Sequence, residues 1–415
     1  MNHRRVRVIL ASRAGAALTG ATVAAVLTAT GMALAMPAAN PVVHGCYKTK
    51  GTPHALSVQT GSATKCPSGY TALSWNVQGI QGKQGAAGKQ GVPGLPGSSG
   101  SAGLDPSRVA TLNWWGGNYS APADDFSKPD AVAFDGAHIW VTNYTGNSVT
   151  ELNPVNGTEV GSFSGTAYGF DEPNAIAFDG SHLWVTNFGN NSVTELNAAD
   201  GSVVQNYNAA ADGFSEPDGI AFDGSHVWVT NFTGNSVTEL NVSNGSLVKN
   251  YTGIQLVGPT GIAFDGTFLW IANGGDNHMI QLTDTGTVQG QLGSAYGFDD
   301  PTGVAVDGAH VWITNNAGNS VSELNENGQW IATLSGGSYG FNDPVGVAFD
   351  GRDVWITNAG GNSVTELNAA TGAWIQTASG GTYGFSQPAG VAFDGSHVWV
   401  ANGGGGGSVT DLVTG

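Results

Sequence analysis

The residues best suited to chemistry lie close together in one stretch of the chain. Asn273, Asp276 and His278 lie within a six-residue stretch, and Asp299 and Asp300 follow shortly after it. Carboxylate and amide oxygens are hard ligands suited to Ca²⁺ or Mg²⁺, and a histidine can act as a general acid or base. These five residues are the predicted ligand-binding site. His278 is the single candidate for catalysis, and no organic cofactor is required.

Recognisable catalytic motifs are missing from the sequence. It contains no Gly-x-Ser-x-Gly elbow, no His-Glu-x-x-His pair, no phosphate-binding loop and no candidate for a reactive cysteine. An enzyme built on this chain would depend on His278 and nearby carboxylates. The sequence therefore favours a non-enzymatic function.

Other polar side chains recur at fixed intervals, which indicates structural roles. Histidines recur at His138, His182, His226, His310 and His397, with Phe268 and Asp353 in two units. Acids recur at Glu151, Glu195, Glu239, Glu323, Glu366 and Asp411, with Gln281 in one unit. Asparagines recur at Asn143, Asn187, Asn231, Asn273, Asn315, Asn358 and Asn402. We expect the acids to lie on the surface and the asparagines to cap turns, direct ligand contact being their alternative role.

These residues belong to a repeat that fills the C-terminal three-quarters of the chain. Its units begin at Phe126, Phe170, Phe214, Leu256, Phe298, Phe341 and Phe385, spaced 42 to 44 residues apart. That period is typical of a β-propeller blade. The first six units each contain four short apolar runs and the last contains three, and every unit has an Asp-Gly turn after the first run and a tryptophan in the second. This pattern predicts a four-stranded antiparallel blade with the tryptophan packed between blades.

The two ends of the repeat region predict how the propeller closes. The last unit stops after its third strand, Ser408–Leu412, and Val109–Trp114 could supply the missing fourth strand. Pairing the ends removes exposed sheet edges. The predicted fold is all-β, a seven-bladed β-propeller over residues 109–415. Strand direction places the blade-entry loops and the loops between second and third strands on one face, the top, which carries the predicted site. The Asp-Gly turns lie on the bottom face.

Residues 1–105 have a different composition. Arg4, Arg5 and Arg7 precede an apolar stretch and a small-residue cleavage site, which predicts an export signal over residues 1–35. A small module follows at residues 42–76, and export favours a Cys46–Cys66 disulfide. Localisation is therefore predicted to be extracellular, or at the cell surface if the N-terminal segment stays uncleaved.

Residues 79–105 contain glycine at every third position from Gly79 to Gly103. This spacing suits a collagen triple helix, in which only glycine fits at the axis, and a triple helix would make the protein a homotrimer. Few prolines support that helix, so a flexible glycine-rich linker is an equal alternative.

Charge excludes one class of partner. All 31 acidic residues lie from Asp105 onward, where only Arg108, Lys128, Lys249 and Arg352 are basic. Such a domain repels phosphate backbones, so we expect no nucleic-acid partner.

The repeated "WVTN…NSVTELN", with "PxGIAFDG" before it, resembles the YVTN and NHL families of β-propellers and the streptogramin lyase group. The segment 42–103 resembles a cysteine-paired module with collagen-like repeats in secreted actinobacterial proteins. The resemblance implies a propeller but no single activity. A lyase of this group would need a second His or Glu beside its catalytic His and a divalent cation, and only His278 is available on the top face.

Three functions follow from these observations. The preferred function is an extracellular binding protein for a protein, peptide or glycan, with the propeller on a stalk. The alternatives are a lyase or hydrolase using His278, and a structural surface-layer component.

Overall fold

The structure is a computed structural model that describes residues 6–9, 42–48, 55–59, 70–76, 115–120, 126–208 and 211–414. The chain divides into two compact units, Met1–Leu112 with Gly415, and Asn113–Thr414. No helix in the described ranges is long and apolar enough to span a membrane.

The N-terminal unit contains a four-stranded antiparallel sheet. Its strands are β1 (Val6–Ile9), β2 (Val42–Lys48), β3 (Ala55–Gln59) and β4 (Tyr70–Asn76), in the order β1-β3-β2-β4. Cys46 lies on β2. Cys66, the glycine repeat from Gly79 to Gly103 and most of the predicted signal lie outside the described residues.

The C-terminal unit contains seven four-stranded antiparallel sheets, which confirms the seven-bladed propeller. Blade 1 consists of β6 (Pro129–Phe134), β7 (Ile139–Asn143), β8 (Ser148–Leu152) and β9 (Glu159–Ser164). Blade 2 consists of β10 (Pro173–Phe178), β11 (His182–Asn187), β12 (Ser192–Asn197) and β13 (Val203–Tyr207). Blade 3 consists of β14 (Pro217–Phe222), β15 (His226–Asn231), β16 (Ser236–Asn241) and β17 (Leu247–Thr252).

The remaining blades follow the same order. Blade 4 consists of β18 (Pro259–Phe264), β19 (Phe268–Asn273), β20 (His278–Thr283) and β21 (Val288–Leu292). Blade 5 consists of β22 (Pro301–Val306), β23 (His310–Asn315), β24 (Ser320–Asn325) and β25 (Trp330–Ser335). Blade 6 consists of β26 (Pro344–Phe349), β27 (Asp353–Asn358), β28 (Ser363–Asn368) and β29 (Trp374–Ser379). Blade 7 consists of β30 (Pro388–Phe393), β31 (His397–Asn402), β32 (Ser408–Val413) and β5 (Trp115–Ser120).

The closing strand is six residues further along the chain than predicted. The prediction placed it at Val109–Trp114, whereas β5 (Trp115–Ser120) pairs with β32. Two side chains of β5 explain this register. Tyr119 stacks on Trp399 with ring centroids 5.9 Å apart, and Asn118 Nδ2 donates to Thr410 Oγ1 at 2.8 Å.

The aspartate side chain stabilises the Asp-Gly turns by accepting hydrogen bonds. In blade 1, Asp135 Oδ1 accepts from the backbone N–H groups of Ala137 and His138, and Asp135 Oδ2 accepts from Trp140 Nε1 at 2.8 Å. Of the two turn residues, only the glycine, Gly136, has positive φ. The tryptophans of all seven second strands donate the equivalent hydrogen bond to the aspartate of their own turn, and all seven are buried.

Tryptophan packing joins neighbouring blades, as predicted. Trp228 of blade 3, for example, lies in one buried cluster with Leu269 and Ile271 of blade 4. The recurring asparagines at the ends of the second strands are fully buried. Asn143 Nδ2 donates to Ser148 Oγ and Thr150 Oγ1 across the following turn, which confirms their capping role in blade 1.

A second set of asparagines links each blade to the next one on the top face. Asn191, with φ of +57°, accepts from the backbone N–H of Glu216 in blade 3 at 2.6 Å. We call these bonds the asparagine clasps. Five other junctions have the same bond, from Asn147, Asn235, Asn277, Asn319 and Asn362. The junction between blades 7 and 1 has Gly407 instead, and a Cβ there would crowd the Phe126 carbonyl oxygen at 2.8 Å.

Candidate functional site

The inner strands of the blades pack against one another around the centre of the propeller. The residue after the first proline of each inner strand occupies the same place in every blade. It is an aspartate or an asparagine only in blades 1 to 3, where the residues are Asp130, Asn174 and Asp218. Blades 4 to 7 carry Thr260, Thr302, Val345 and Ala389 there. The propeller is therefore asymmetric at its centre.

The three side chains of blades 1 to 3 converge. Asn174 Nδ2 donates to Asp218 Oδ1 at 2.6 Å. Burial and, secondly, the charge of Asp130 raise the pKa of Asp218 to about 7, against the opposing effect of the Asn174 hydrogen bond. Burial also raises the pKa of Asp130 to about 6, against the opposing effect of Lys128. Within the described part of the chain, no donor forms a hydrogen bond with the Asp130 carboxylate.

A matching asymmetry occurs in the loop after the second strand. Its first residue is aromatic in blades 1 to 3, namely Tyr144, Phe188 and Phe232, and is Gly274, Asn316, Ala359 or Gly403 in the others. Tyr144 and Phe188 are half-buried, and Phe232 is 38% exposed. The aromatic residues thus occupy the same three blades as the polar triad.

Tyr144 connects the aromatic and charged groups. Its hydroxyl donates to Glu172 Oε2 at 2.9 Å, and the Lys128 Nζ lies 4.0 Å from its ring centroid. Burial, Glu172 and the more distant Asp130 and Asp218 raise the pKa of Tyr144 to about 12, so its hydroxyl stays protonated. We call the top-face region of Lys128, Asp130, Tyr144, Glu172, Asn174, Phe188, Asp218 and Phe232 the blade 1–3 sector.

The backbone makes extra room in this sector. In blades 3 to 7 the next inner-strand residue is Gly219, Gly261, Gly303, Gly346 or Gly390, and a Cβ at each would collide with the following blade's backbone. Blades 1 and 2 have Ala131 and Ala175 instead.

The hydrogen bonds between neighbouring blades also differ in length, being longer at the two junctions within blades 1 to 3. Thr142 and Thr186 donate to the neighbouring inner strand at 3.2 and 3.1 Å. The equivalent bonds of Thr230, Thr314 and Thr357 are 2.6 Å. The inner strands carrying the triad are therefore set further apart than the others.

The site predicted from the sequence is assembled in part. Asn273 Nδ2 donates to Asp276 Oδ1 at 2.6 Å, and His278 Nδ1 lies 2.7 Å from the Asp276 carbonyl oxygen. Asn273 is fully buried, and its Oδ1 accepts from Val257 N at 2.6 Å. The Asn273 amide is therefore committed to blade 4 itself.

The two other predicted residues lie at the junction of blades 4 and 5. Asp300 receives the asparagine clasp from Asn277 at its backbone N–H, at 2.7 Å. The Asp299 backbone N–H bonds Asn315 Oδ1 at 3.4 Å. No group of three or more His, Cys, Asp or Glu residues with metal-binding geometry occurs in the described ranges. These five residues therefore do not form a closed cation cage.

The recurring acids are buried and lie beside the recurring histidines. His138 Nδ1 lies 3.0 Å from Glu151 Oε1, and Glu151 is 5% exposed. The expectation that the acids lie on the surface is wrong, because the third strand is buried and, in blade 1, the acid lies against the histidine that follows the same blade's Asp-Gly turn. Burial raises the pKa of Glu151, and His138 opposes that rise.

Two blades depart from this pairing. Blade 4 replaces both members, with Phe268 and Gln281. Blade 6 replaces only the histidine, with Asp353, which lies beside Glu366 and bonds Arg352 through Oδ2 at 2.7 Å. Burial and the neighbouring Asp353 raise the pKa of Glu366.

A cleft of about 270 Å³ lies on the bottom face between blades 4 and 5. Its walls include Asp265, Phe268, His310 and Glu326. Asp265 and His310 belong to turns that repeat in the other blades, so the cleft brings together no distinctive chemistry.

Comparisons with known proteins identify the fold. No family model and no curated protein sequence matches the chain. A solved streptogramin B lyase is 19% identical, with a TM-score of 0.59, covering 72% of this chain and 97% of that one. A catalytically inactive virginiamycin B lyase from Staphylococcus aureus with quinupristin is 19% identical, with a TM-score of 0.62, covering 72% and 98%. Hydrazine synthase from Kuenenia stuttgartiensis is 18% identical, with a TM-score of 0.56, covering 71% and 98%.

At this level of identity, structural similarity shows a shared fold and not a shared activity. The chain therefore has the seven-bladed β-propeller fold of streptogramin lyase-like proteins.

Proposed function

We propose that this protein is an extracellular binding protein whose propeller binds its partner at the blade 1–3 sector of the top face. The partner is a protein, peptide or glycan. The export signal predicted over residues 1–35 and the stalk predicted over residues 79–105 support presentation outside the cell. A trimeric stalk would give three copies of the sector and hence avidity.

The observation that carries this proposal is the convergence of non-repeated residues in three adjacent blades. Asp130, Asn174 and Asp218 occupy a position where other blades use threonine, valine or alanine, so the fold does not require carboxylates there. Buried carboxylates with raised pKa values cost stability when ionised. Groups retained at such a cost are candidates for a functional site.

The lyase alternative has less support. His278 contacts Asp276, and no second histidine accompanies it on the top face among the described blades. Surface-layer assembly would use surfaces shared by all blades, and the blade 1–3 sector is not shared.

A charge-matched pair of variants tests the proposed site. The full chain would be screened on peptide and glycan arrays as wild type, as Asp130→Asn/Asp218→Asn and as Asp299→Asn/Asp300→Asn. Both variants lose two acidic groups from the top face. We expect the hits to disappear only in the first variant. Hits that persist there and disappear in the second would place the site in blades 4 and 5 and refute the proposal.

Sedimentation of the full chain tests the stalk. A trimer that dissociates at a distinct temperature step would support a triple helix over residues 79–105. A monomer at every temperature would make that segment a linker.

A further inference from the structure

We infer that the ligand group recognised by the blade 1–3 sector is an alkylammonium cation, and that Lys128 occupies the same place as a tethered competitor. This inference rests on the proposed function and specifies its ligand chemistry. An alkylammonium is the positively charged end of a lysine side chain or an amine.

The side chains of the sector are complementary to an organic cation. Aromatic faces attract a cation through their negative quadrupole, and nearby carboxylates supply opposite charge. The sector combines three aromatic residues with Asp130, Asp218 and Glu172. Glu172 already accepts from the Tyr144 hydroxyl, which fixes that ring, whereas the Asp130 carboxylate has no donor among the described residues.

The chain itself places an alkylammonium at this site. Lys128 Nζ lies 4.0 Å from the Tyr144 ring centroid, and Lys128 is the basic residue whose charge acts on Asp130. Lys128 is exposed and lies in the blade-entry loop, so its side chain can leave without unfolding a strand. An incoming ammonium must displace it, so the apparent affinity is the intrinsic affinity multiplied by the fraction of time that Lys128 is away from the ring.

Lys249 provides a matched control. Its Nζ lies 4.4 Å from the Tyr251 ring centroid on the outer strand of blade 3, so it makes a similar contact outside the sector. Replacing either lysine removes one positive charge and one cation–π contact.

The test is calorimetric titration of the full chain with n-butylammonium, using n-butanol as the uncharged control. We expect n-butylammonium alone to bind, and Asp130→Asn/Asp218→Asn to weaken it roughly tenfold relative to Asp299→Asn/Asp300→Asn. Lys128→Met should tighten binding roughly threefold to tenfold, and Lys249→Met should leave it near the wild-type value. Equal effects of the two lysine variants would overturn the competitor role.

An NMR measurement on the wild type follows Lys128 directly. The Lys128 side-chain protons, assigned by their loss in Lys128→Met, should be shifted upfield by the Tyr144 ring and should move toward free-lysine values as n-butylammonium binds. Static Lys128 signals during saturable binding would overturn the inference. If array hits depend on Asp130 and Asp218 but n-butylammonium does not bind, the ligand class is wrong and the proposed site stands. If no hit depends on them, the proposed function itself fails.

Discussion

At the scale of single residues, two carboxylates of the blade 1–3 sector lower the stability of the folded state when they are ionised. Asp130 and Asp218 lie where desolvation penalises their charged forms. The Asp218 pKa rises from 3.8 to about 7, so the folded state holds this proton more tightly than the unfolded chain. The associated stability is complete below pH 3.8 and is lost as pH rises through about 7.

Because the raised pKa of Asp218 makes its charged form destabilising, Asp218→Asn should stabilise the protein at high pH. The variant keeps an oxygen for the Asn174 amide but carries no charge. We expect it to be more stable than wild type by about 2 kcal/mol at pH 8.5 and equal to it at pH 4. Urea unfolding at both pH values measures the difference. A variant less stable than wild type at pH 8.5 would show that the Asp218 charge is compensated.

The histidine–acid pair predicts energetic coupling. His138→Phe alone leaves Glu151 buried without its histidine partner, and Glu151→Gln alone removes the carboxylate that lies 3.0 Å from His138 Nδ1. We expect each single variant to lose about 1–2 kcal/mol. The double variant reproduces the combination natural to blade 4, Phe268 with Gln281, and should recover about 1 kcal/mol of the summed loss. Strictly additive losses in a double-mutant cycle would contradict this coupling.

At the scale of elements, the asparagine clasps determine how firmly blades are joined. Asn191→Gly removes the bond to Glu216 while allowing positive φ, and should cost about 1 kcal/mol. Asn191→Ala loses the same bond and adds left-handed strain, so it should cost about 1–2 kcal/mol more. Thermal unfolding distinguishes the two. Equal melting temperatures for the glycine and alanine variants would show that backbone strain is not important here.

The sequence predicted the blades because their determinants are local and repeated. Proline before the inner strand, Asp-Gly at the first turn and tryptophan in the second strand each appear in every unit. The closing strand was misplaced because Val109–Trp114 has the better apolar pattern. The useful signal was Gly117-Asn118-Tyr119, which matches Gln205-Asn206-Tyr207 at the end of β13.

The candidate site was also present in the sequence, but not as a motif. Comparing the repeats position by position reveals the triad and the aromatic residues of blades 1 to 3, since both sets are absent from blades 4 to 7. The contacts that each side chain makes could be identified only from the structure. Nothing in the local pattern indicates that Asn174 bonds Asp218, 44 residues away, or that Lys128 lies over Tyr144.

At the scale of the whole molecule, β5 closes the propeller by joining its two ends. Deleting residues 115–120 should expose the edge of β32, lower the melting temperature by more than about 10 °C and promote aggregation. Deleting residues 109–114, a segment of equal length, is the control and should leave the melting temperature unchanged. Equal losses for both deletions would mean that linker length and not strand pairing holds the ring closed.

The location of the ligand site is tested most directly by a crystal structure of the full chain with 4-bromobenzylammonium, whose bromine gives an anomalous signal. We expect one strong bromine peak on the top face beside Tyr144, Phe188 or Phe232, with the ammonium toward Asp130 and Asp218 and Lys128 displaced from the Tyr144 ring. A bromine peak beside Asp299 and Asp300, or on the bottom face, with Lys128 still over Tyr144, would contradict it.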